Sequence, residues 1–203
     1  MMGICYIVGA GEFYGEFTVR EGDTVIAADG GYGYLKDKNI RCDLLVGDMD
    51  SISEVPKGVE VLRVPVEKDD TDTYLCYLEG VRRGYTDFVI YGGVGGREDH
   101  TFANYSLLIG AISEGNRVKL VSRDFDVFAI KNEKITLECG KGKTLSVFAY
   151  PKEAEGVSIS GCKYNAADIT LSPLFPLGVS NSTVSTTPTL EVRSGTLLVM
   201  LER

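Results

Sequence analysis

The stretch that decides the fold is FVIYGGVGGREDH, residues 88–100 in a chain of 203 residues. It opens with a short apolar run, Phe88 to Tyr91, of the kind that forms buried parallel strands. Four glycines follow, and the segment from Thr101 to Glu114 is helix-like. A strand, a glycine-rich loop and a helix in this order indicate one repeat of a parallel α/β sheet.

The same alternation extends outward from this stretch. The segment from Thr71 to Arg83 is helix-like, because its apolar residues recur at spacings of three and four. Further apolar runs of strand length are Gly3 to Val8, Thr24 to Ala28, Asp43 to Val46, Val59 to Val64 and Val118 to Val121. The sequence therefore predicts an α/β N-terminal domain with a mainly parallel sheet.

The pattern changes after Arg123, where short alternating segments are separated by Gly, Pro, Asn and Ser. We expect residues 123–203 to form a small antiparallel β-sandwich domain, which leaves residues 1–122 as the α/β domain.

The composition and charge of the chain indicate which classes of partner to expect. The chain is 44% hydrophobic and 25% charged, with a formal net charge of -8. Residues 1–122 hold 12 basic and 20 acidic side chains, whereas residues 123–203 hold nine of each. Because nucleic acids are bound through clustered Lys and Arg, we expect no nucleic-acid partner. The acidic excess is either a solvated surface or a set of carboxylates that collects divalent cations.

The cysteines and the absence of long apolar runs bear on location. The five cysteines are widely spaced and form no CxxC pair, so neither a disulfide framework nor a zinc site is indicated. No basic leader opens the chain, and no apolar run approaches the roughly 18 to 20 residues of a membrane span. We expect a cytoplasmic protein with no membrane partner.

Four acidic motifs follow the strands of the α/β part. They are Ala28-Asp29-Gly30-Gly31, Gly47-Asp48-Met49-Asp50-Ser51, Lys68-Asp69-Asp70-Thr71-Asp72 and Gly95-Gly96-Arg97-Glu98-Asp99-His100. Loops after parallel strands emerge at one edge of the sheet, so these motifs should converge there. Carboxylates that converge repel each other and favour a bound cation, and oxygen ligands favour magnesium.

Each motif also has a purely structural interpretation. Asp70 or Thr71 can cap the helix that begins there, and Asp99 can cap the next one. The glycines before Arg97 form either an ordinary turn or a loop that lets the backbone approach a phosphate while the guanidinium holds its oxygens.

The same residues can be compared with the motifs of other classes of protein. Gly9-Ala10-Gly11 begins like a dinucleotide fingerprint, but Tyr14 stands where the third glycine belongs, which argues against a nicotinamide oxidoreductase. Asp48-Met49-Asp50-Ser51-Ile52 nearly meets the pattern of a phosphatase with an Asp nucleophile. A non-catalytic nucleotide- or cation-binding module is the third alternative.

In this order, with Asn104 and the later Gly178-Val179-Ser180-Asn181-Ser182, the motifs resemble the thiamine pyrophosphokinase family over nearly the whole chain. The resemblance implies a homodimeric enzyme that uses ATP and Mg²⁺ and transfers a pyrophosphoryl group to the hydroxyl of thiamine. It implies metal ligands at Asp48, Asp50, Asp72 and Asp99, and catalytic roles for Asp72, Arg97 and Asp99. It also implies ATP contacts at Asp29, Gly30, Gly31, Gly96, Arg97, His100 and Asn104, and thiamine contacts at Ser180, Asn181 and Ser182.

Two questions stay open on the residues alone. The base that takes the thiamine proton is either Asp72 or Asp99, since metal coordination and base chemistry use the same carboxylates. His100 either takes part in catalysis or hydrogen-bonds nearby backbone. Because the chain has no Trp, any ring that stacks on thiamine must be Tyr or Phe.

Overall fold

The computed structural model describes residues 3–49, 57–65 and 70–203. These form two compact units. The first contains the described residues of Met1–Leu107 together with Gly115–Arg123, and the second contains Leu108–Glu114 and Asp124–Arg203. The domain boundary between residues 122 and 123 stays a prediction.

A parallel sheet forms the centre of the first unit. Its spatial order is β4-β3-β2-β1-β5-β6, and each neighbouring pair is parallel. The strands are β1 (Cys5–Val8), β2 (Thr24–Ala28), β3 (Leu44–Gly47), β4 (Glu60–Arg63), β5 (Asp87–Tyr91) and β6 (Arg117–Val121). Every residue of β1, β2 and β3 is buried, which explains why these strands are continuous apolar runs.

The described residues form three helices: α1 (Gly31–Asp37), α2 (Asp72–Arg82) and α3 (Glu98–Ser113). The end of α3 belongs to the second unit, which includes Leu108–Glu114. Thr71 caps α2, because its hydroxyl accepts the N–H of Tyr74 at 3.2 Å. Helix α3 begins at Glu98, three residues before the predicted start. None of the described helices is both long enough and apolar enough to span a membrane.

The two faces of the sheet are covered by different segments. On one face, Leu35 of α1 packs in a cluster with the alternate strand residues Tyr6, Val8 and Val25. On the other face, α2 lies so close that a Cβ on Gly80 would sit 2.9 Å from the Cys5 sulfur. Both helices are thus anchored to the sheet.

The second unit is an antiparallel sandwich. Its strands are β7 (Phe125–Lys131), β8 (Lys134–Thr136), β9 (Thr144–Ala149), β10 (Ala154–Ser160), β11 (Ala166–Leu171), β12 (Asn181–Ser182), β13 (Thr189–Glu191) and β14 (Thr196–Glu202). One layer has the order β12-β9-β14-β7 and the other β11-β10-β13-β8. Val147 and Val199 of the first layer share one core with Val157 and Leu190 of the second. The predicted fold class, an α/β part followed by a small antiparallel sandwich, is therefore confirmed.

Candidate active site

A cleft of about 450 Å³ lies at the carboxyl edge of the parallel sheet. Segments that follow β1, β2 and β5 line it, together with the first residues of α2 and the first two turns of α3. The lining residues are Ala10, Gly11, Glu12, Ala28, Asp29, Tyr34, Thr71, Asp72, Thr73, Gly92, Gly93, Gly95, Gly96, Arg97, His100 and Asn104. The cleft belongs entirely to the first unit.

The predicted site residues divide between the cleft and other places. Those that line it are Asp29, Asp72, Gly96, Arg97, His100 and Asn104. Those outside the lining are Asp48, Asp99, Gly30 and Gly31, and those in the second unit are Ser180, Asn181 and Ser182. Asp50, Ser51, Lys68 and Asp69 lie outside the described residues.

Backbone hydrogen bonds join the loop after β1 to the loop after β5. Gly11 N–H donates to the carbonyl of Gly92 at 2.9 Å, and Glu12 N–H donates to that of Val94 at 2.7 Å. A Cβ on residue 11 would lie only 2.4 Å from the Val94 oxygen, so this close approach requires glycine. Sequence reasoning set Gly9-Ala10-Gly11 aside as an incomplete fingerprint. The feature of the sequence that could have identified this loop as part of the site is a pair of glycines directly after a buried strand.

Arg97 lies in the exposed mouth of the cleft, where its guanidinium faces Asp99. Nε and Nη2 donate to the two carboxylate oxygens of Asp99 at 3.1 and 2.5 Å. These hydrogen bonds, helped by the N–H of His100, lower the pKa of Asp99 to about 2. The fork of Arg97 is therefore already arranged for bidentate contact with an anion.

Asn104 supports the glycine-rich loop from beneath. It is buried on α3, and its side-chain amide donates to the carbonyl of Gly93 at 2.7 Å. Its contact with the loop follows from its position one turn after His100 on the same helix. Asn104 thus fixes the loop that precedes Arg97.

Asp29 combines a strained backbone with an unsatisfied oxygen. Its φ is 40°, a left-handed value that is uncommon outside glycine, and its N–H donates to Val46 at 2.8 Å. Its Oδ1 is buried and has no hydrogen-bond partner among the residues that the structure describes. Buried anionic oxygens are normally satisfied, so this atom marks a place where a cation or a ligand donor is expected.

The carboxylates of the described residues do not form a complete metal cage. Within residues 3–49, 57–65 and 70–203, no three or more His, Cys, Asp and Glu side chains are grouped so that they could hold a metal ion. In particular, the structure does not gather Asp48, Asp72 and Asp99 into one group. Asp29 and Asp72, by contrast, line the same cleft.

In the second unit, Asn181, which begins the short strand β12 rather than lying in a turn, hydrogen-bonds the backbone of Tyr164. Asn181 is buried, and its amide accepts the N–H of Tyr164 at 3.1 Å and donates to the Tyr164 carbonyl at 2.7 Å. The Tyr164 side chain is 64% exposed. Sequence reasoning missed Tyr164, and its interpretation of the Ser180-Asn181-Ser182 segment as a thiamine contact stays a prediction.

Comparison with known proteins decides the family. Residues 18–120 match the family model described as thiamin pyrophosphokinase, catalytic domain, and residues 132–197 match the model described as thiamin pyrophosphokinase, vitamin B1 binding domain. The chain belongs to the thiamin pyrophosphokinase family. It is therefore an enzyme of the transferase class, and the predicted family and function are confirmed.

Individual members of the thiamin pyrophosphokinase family show similar sequences and folds. The thiamine pyrophosphokinase of Bacillus subtilis (strain 168) is 26% identical over 184 residues, which cover 86% of this chain and 85% of the relative. A crystal structure of thiamine pyrophosphokinase from Bacillus subtilis has a TM-score of 0.91 at 22% identity, covering 98% of this chain and 99% of the other. Thiamin pyrophosphokinase from Candida albicans has a TM-score of 0.76 at 17% identity, covering 99% and 89%.

Proposed function

We propose that this chain binds ATP in the cleft of its first unit and transfers the pyrophosphoryl group to the hydroxyl of thiamine, which releases AMP. The observation that carries the proposal is the convergence of Asp29, Asp72 and Arg97 with the glycine-rich loop in one cleft. The match to both family models supports the choice of substrates.

The glycine-rich loop and Arg97 would hold the phosphates. Gly95 and Gly96 have φ values of 84° and 76°, and apart from its chain neighbours no atom of the described residues lies within 4 Å of a Cβ built on Gly96. The backbone at Gly96 is therefore open to a close approach by phosphate oxygens, whereas the Glu12 side chain packs against Gly95. Arg97 would exchange the two oxygens of Asp99 for two phosphate oxygens, because both groups suit the same bidentate fork.

Magnesium belongs to this proposal. The described residues fit it, because magnesium needs only one or two protein carboxylates beside substrate phosphates and water. Asp72 lines the cleft, Asp48 follows β3, and the unpartnered oxygen of Asp29 adds a carboxylate that sequence reasoning had assigned to ATP. The family resemblance adds Asp50, which lies outside the described residues, and Asp99, which is paired with Arg97, as further candidate ligands. When bound, the ion would neutralise charge on the phosphate oxygens.

Asp72 is the better placed of the two candidate bases. It lines the cleft at the start of α2, whereas Asp99 lies outside the lining and is held by Arg97. We therefore propose that Asp72 is the base that takes the proton of the thiamine hydroxyl.

Thiamine binding would use the second unit. Tyr164 presents an exposed ring on which an aromatic ligand would stack, and Asn181 fixes the backbone of Tyr164 through two hydrogen bonds. The polar groups of Ser180 and Ser182 flank Asn181 in the chain. We further propose that the enzyme is a homodimer whose sites are shared between subunits. The five cysteines are thiols rather than disulfides, which agrees with a cytoplasmic location.

The test is to incubate the protein with Mg²⁺ and ATP, with and without thiamine, and to measure AMP. We expect AMP and thiamine diphosphate in equal amounts, and only when thiamine is present. Release of inorganic phosphate from generic phosphomonoesters would support a phosphatase with an Asp nucleophile instead. Binding of ATP without any turnover would support a non-catalytic module.

A further inference from the structure

Tyr34 is the only Tyr or Phe among the described residues that line the cleft. It belongs to α1, which follows β2, whereas Arg97 follows β5. Strand β1 lies between these two strands, so the two residues start from positions separated by two strand spacings, roughly 10 Å. The cleft thus has an aromatic side at Tyr34 and a phosphate side at Arg97.

The ring of Tyr34 is supported from behind by other aromatic rings. The Phe13 ring lies 5.3 Å from it at an interplanar angle of 34°. Phe13 in turn stacks on Tyr91 at 5.2 Å, and Phe17 stacks on Tyr91 at 4.8 Å. Such contacts restrict the rotamers of Tyr34, so its ring is held in place before a ligand arrives.

We propose that Tyr34 is a stacking platform for the base of the nucleotide whose phosphates meet Arg97. This inference rests on the proposed binding of ATP in the cleft. A base presents a flat π-face that suits an aromatic ring, whereas neither the glycine-rich loop nor Asp72 offers an apolar surface of that size. Tyr34 would then contribute affinity for the nucleoside part of ATP and none for its phosphates.

The experiment measures dissociation constants by calorimetry for Mg–ATP and for magnesium tripolyphosphate, which lacks the base and the sugar. Tyr34→Ala should weaken ATP about 5- to 150-fold, the effect of losing one base–aromatic stack, and leave tripolyphosphate unchanged. Tyr34→Phe should bind ATP within about threefold of wild type, because it keeps the ring. Tyr32→Ala is the matched control. Tyr32 is an aromatic residue of the same helix that packs in the same cluster but does not line the cleft, so its loss should not alter ATP binding.

A fluorescent nucleotide gives a second readout that a structural role would not change. The triphosphate of 2-aminopurine riboside should lose fluorescence on binding wild type and Tyr34→Phe, because stacking quenches the base. Binding to Tyr34→Ala at saturation should leave the fluorescence nearly unchanged.

The outcomes separate this inference from the proposed function. If Tyr34→Ala binds ATP as wild type does, or weakens ATP and tripolyphosphate equally, the stacking role is wrong while ATP binding stands. If wild type binds ATP no more tightly than tripolyphosphate, the stacking role is also wrong. If wild type binds neither compound, the proposed function fails and the inference fails with it.

Discussion

Replacing Glu79 by Gln removes the charge at the centre of an ion-pair network on the helix that carries Asp72. The buried Glu79 carboxylate accepts Nε and Nη2 of Arg82 at 2.7 and 2.6 Å and Nε of Arg83 at 2.8 Å. Arg83 also donates to Glu60 of β4 at 2.8 Å. The network therefore ties α2 to an edge strand of the sheet.

The size of the effect follows from the pKa of Glu79. Hydrogen bonds from Arg82, followed by those from Arg83, lower it from 4.5 to about 2, which corresponds to about 3 kcal/mol at full strength. Arg82 is 70% exposed and Arg83 24%, so solvent screens part of this energy. We expect Glu79→Gln to lower the free energy of unfolding by about 1 to 2 kcal/mol at pH 7, or the Tm by about 2 to 8 °C.

The dependence on pH gives the sharper test. Because folding depresses the pKa of Glu79, its contribution is fully present above pH 4.5 and is lost as the pH falls toward 2. Urea unfolding at pH 7, 5 and 3.5 should show the gap between wild type and variant narrowing at the lowest pH. Glu60→Gln is the control. Its side chain is 60% exposed, so the loss should stay below about 0.5 kcal/mol. A Glu79→Gln gap below about 0.5 kcal/mol at pH 7, or one that does not change with pH, would refute this reasoning.

The remaining predictions concern turnover. Asp72→Asn and Asp48→Asn should each lower AMP formation at least about 100-fold with little change in Tm, because each removes a site charge and no core packing; turnover within about tenfold of wild type would contradict the assigned roles. Arg97→Lys should be inactive in a coupled AMP assay, since a point charge cannot make a bidentate contact. A fully active Lys variant would mean that Arg97 contributes only its positive charge. Tyr164→Ala should raise the KM for thiamine while Tyr164→Phe does not. At a thiamine concentration far below the KM of Tyr164→Ala, refolding this variant together with Asp72→Asn should recover about a quarter of wild-type activity through mixed dimers. No recovery in mixed dimers confirmed by mass would place the site within one subunit.

The location of most elements could be predicted from the sequence because the signals are local. Strand β2 has the predicted bounds Thr24–Ala28, and α2 matches the predicted helix within a residue at each end. Buried parallel strands need continuous apolar runs, and a helix needs a cap and a periodic apolar face. The seven residues of α1 gave no such signal, because two glycines and two tyrosines in one short segment carry neither a helical preference nor a clear period.

The sequence by itself determined the family, the two-part architecture and the set of acidic and glycine-rich motifs, since residue type and spacing are enough to state them. Only the tertiary structure decided which of those residues meet. There, Gly11 hydrogen-bonds Gly92 and so connects two loops, Tyr34 lines the cleft, and Arg97 pairs with Asp99. The side-chain amide of Asn181 also donates a hydrogen bond to the carbonyl of Tyr164. Each of these contacts depends on how a loop or turn directs its side chains and backbone groups, and most of them join segments far apart in the chain. Local propensities cannot specify such contacts.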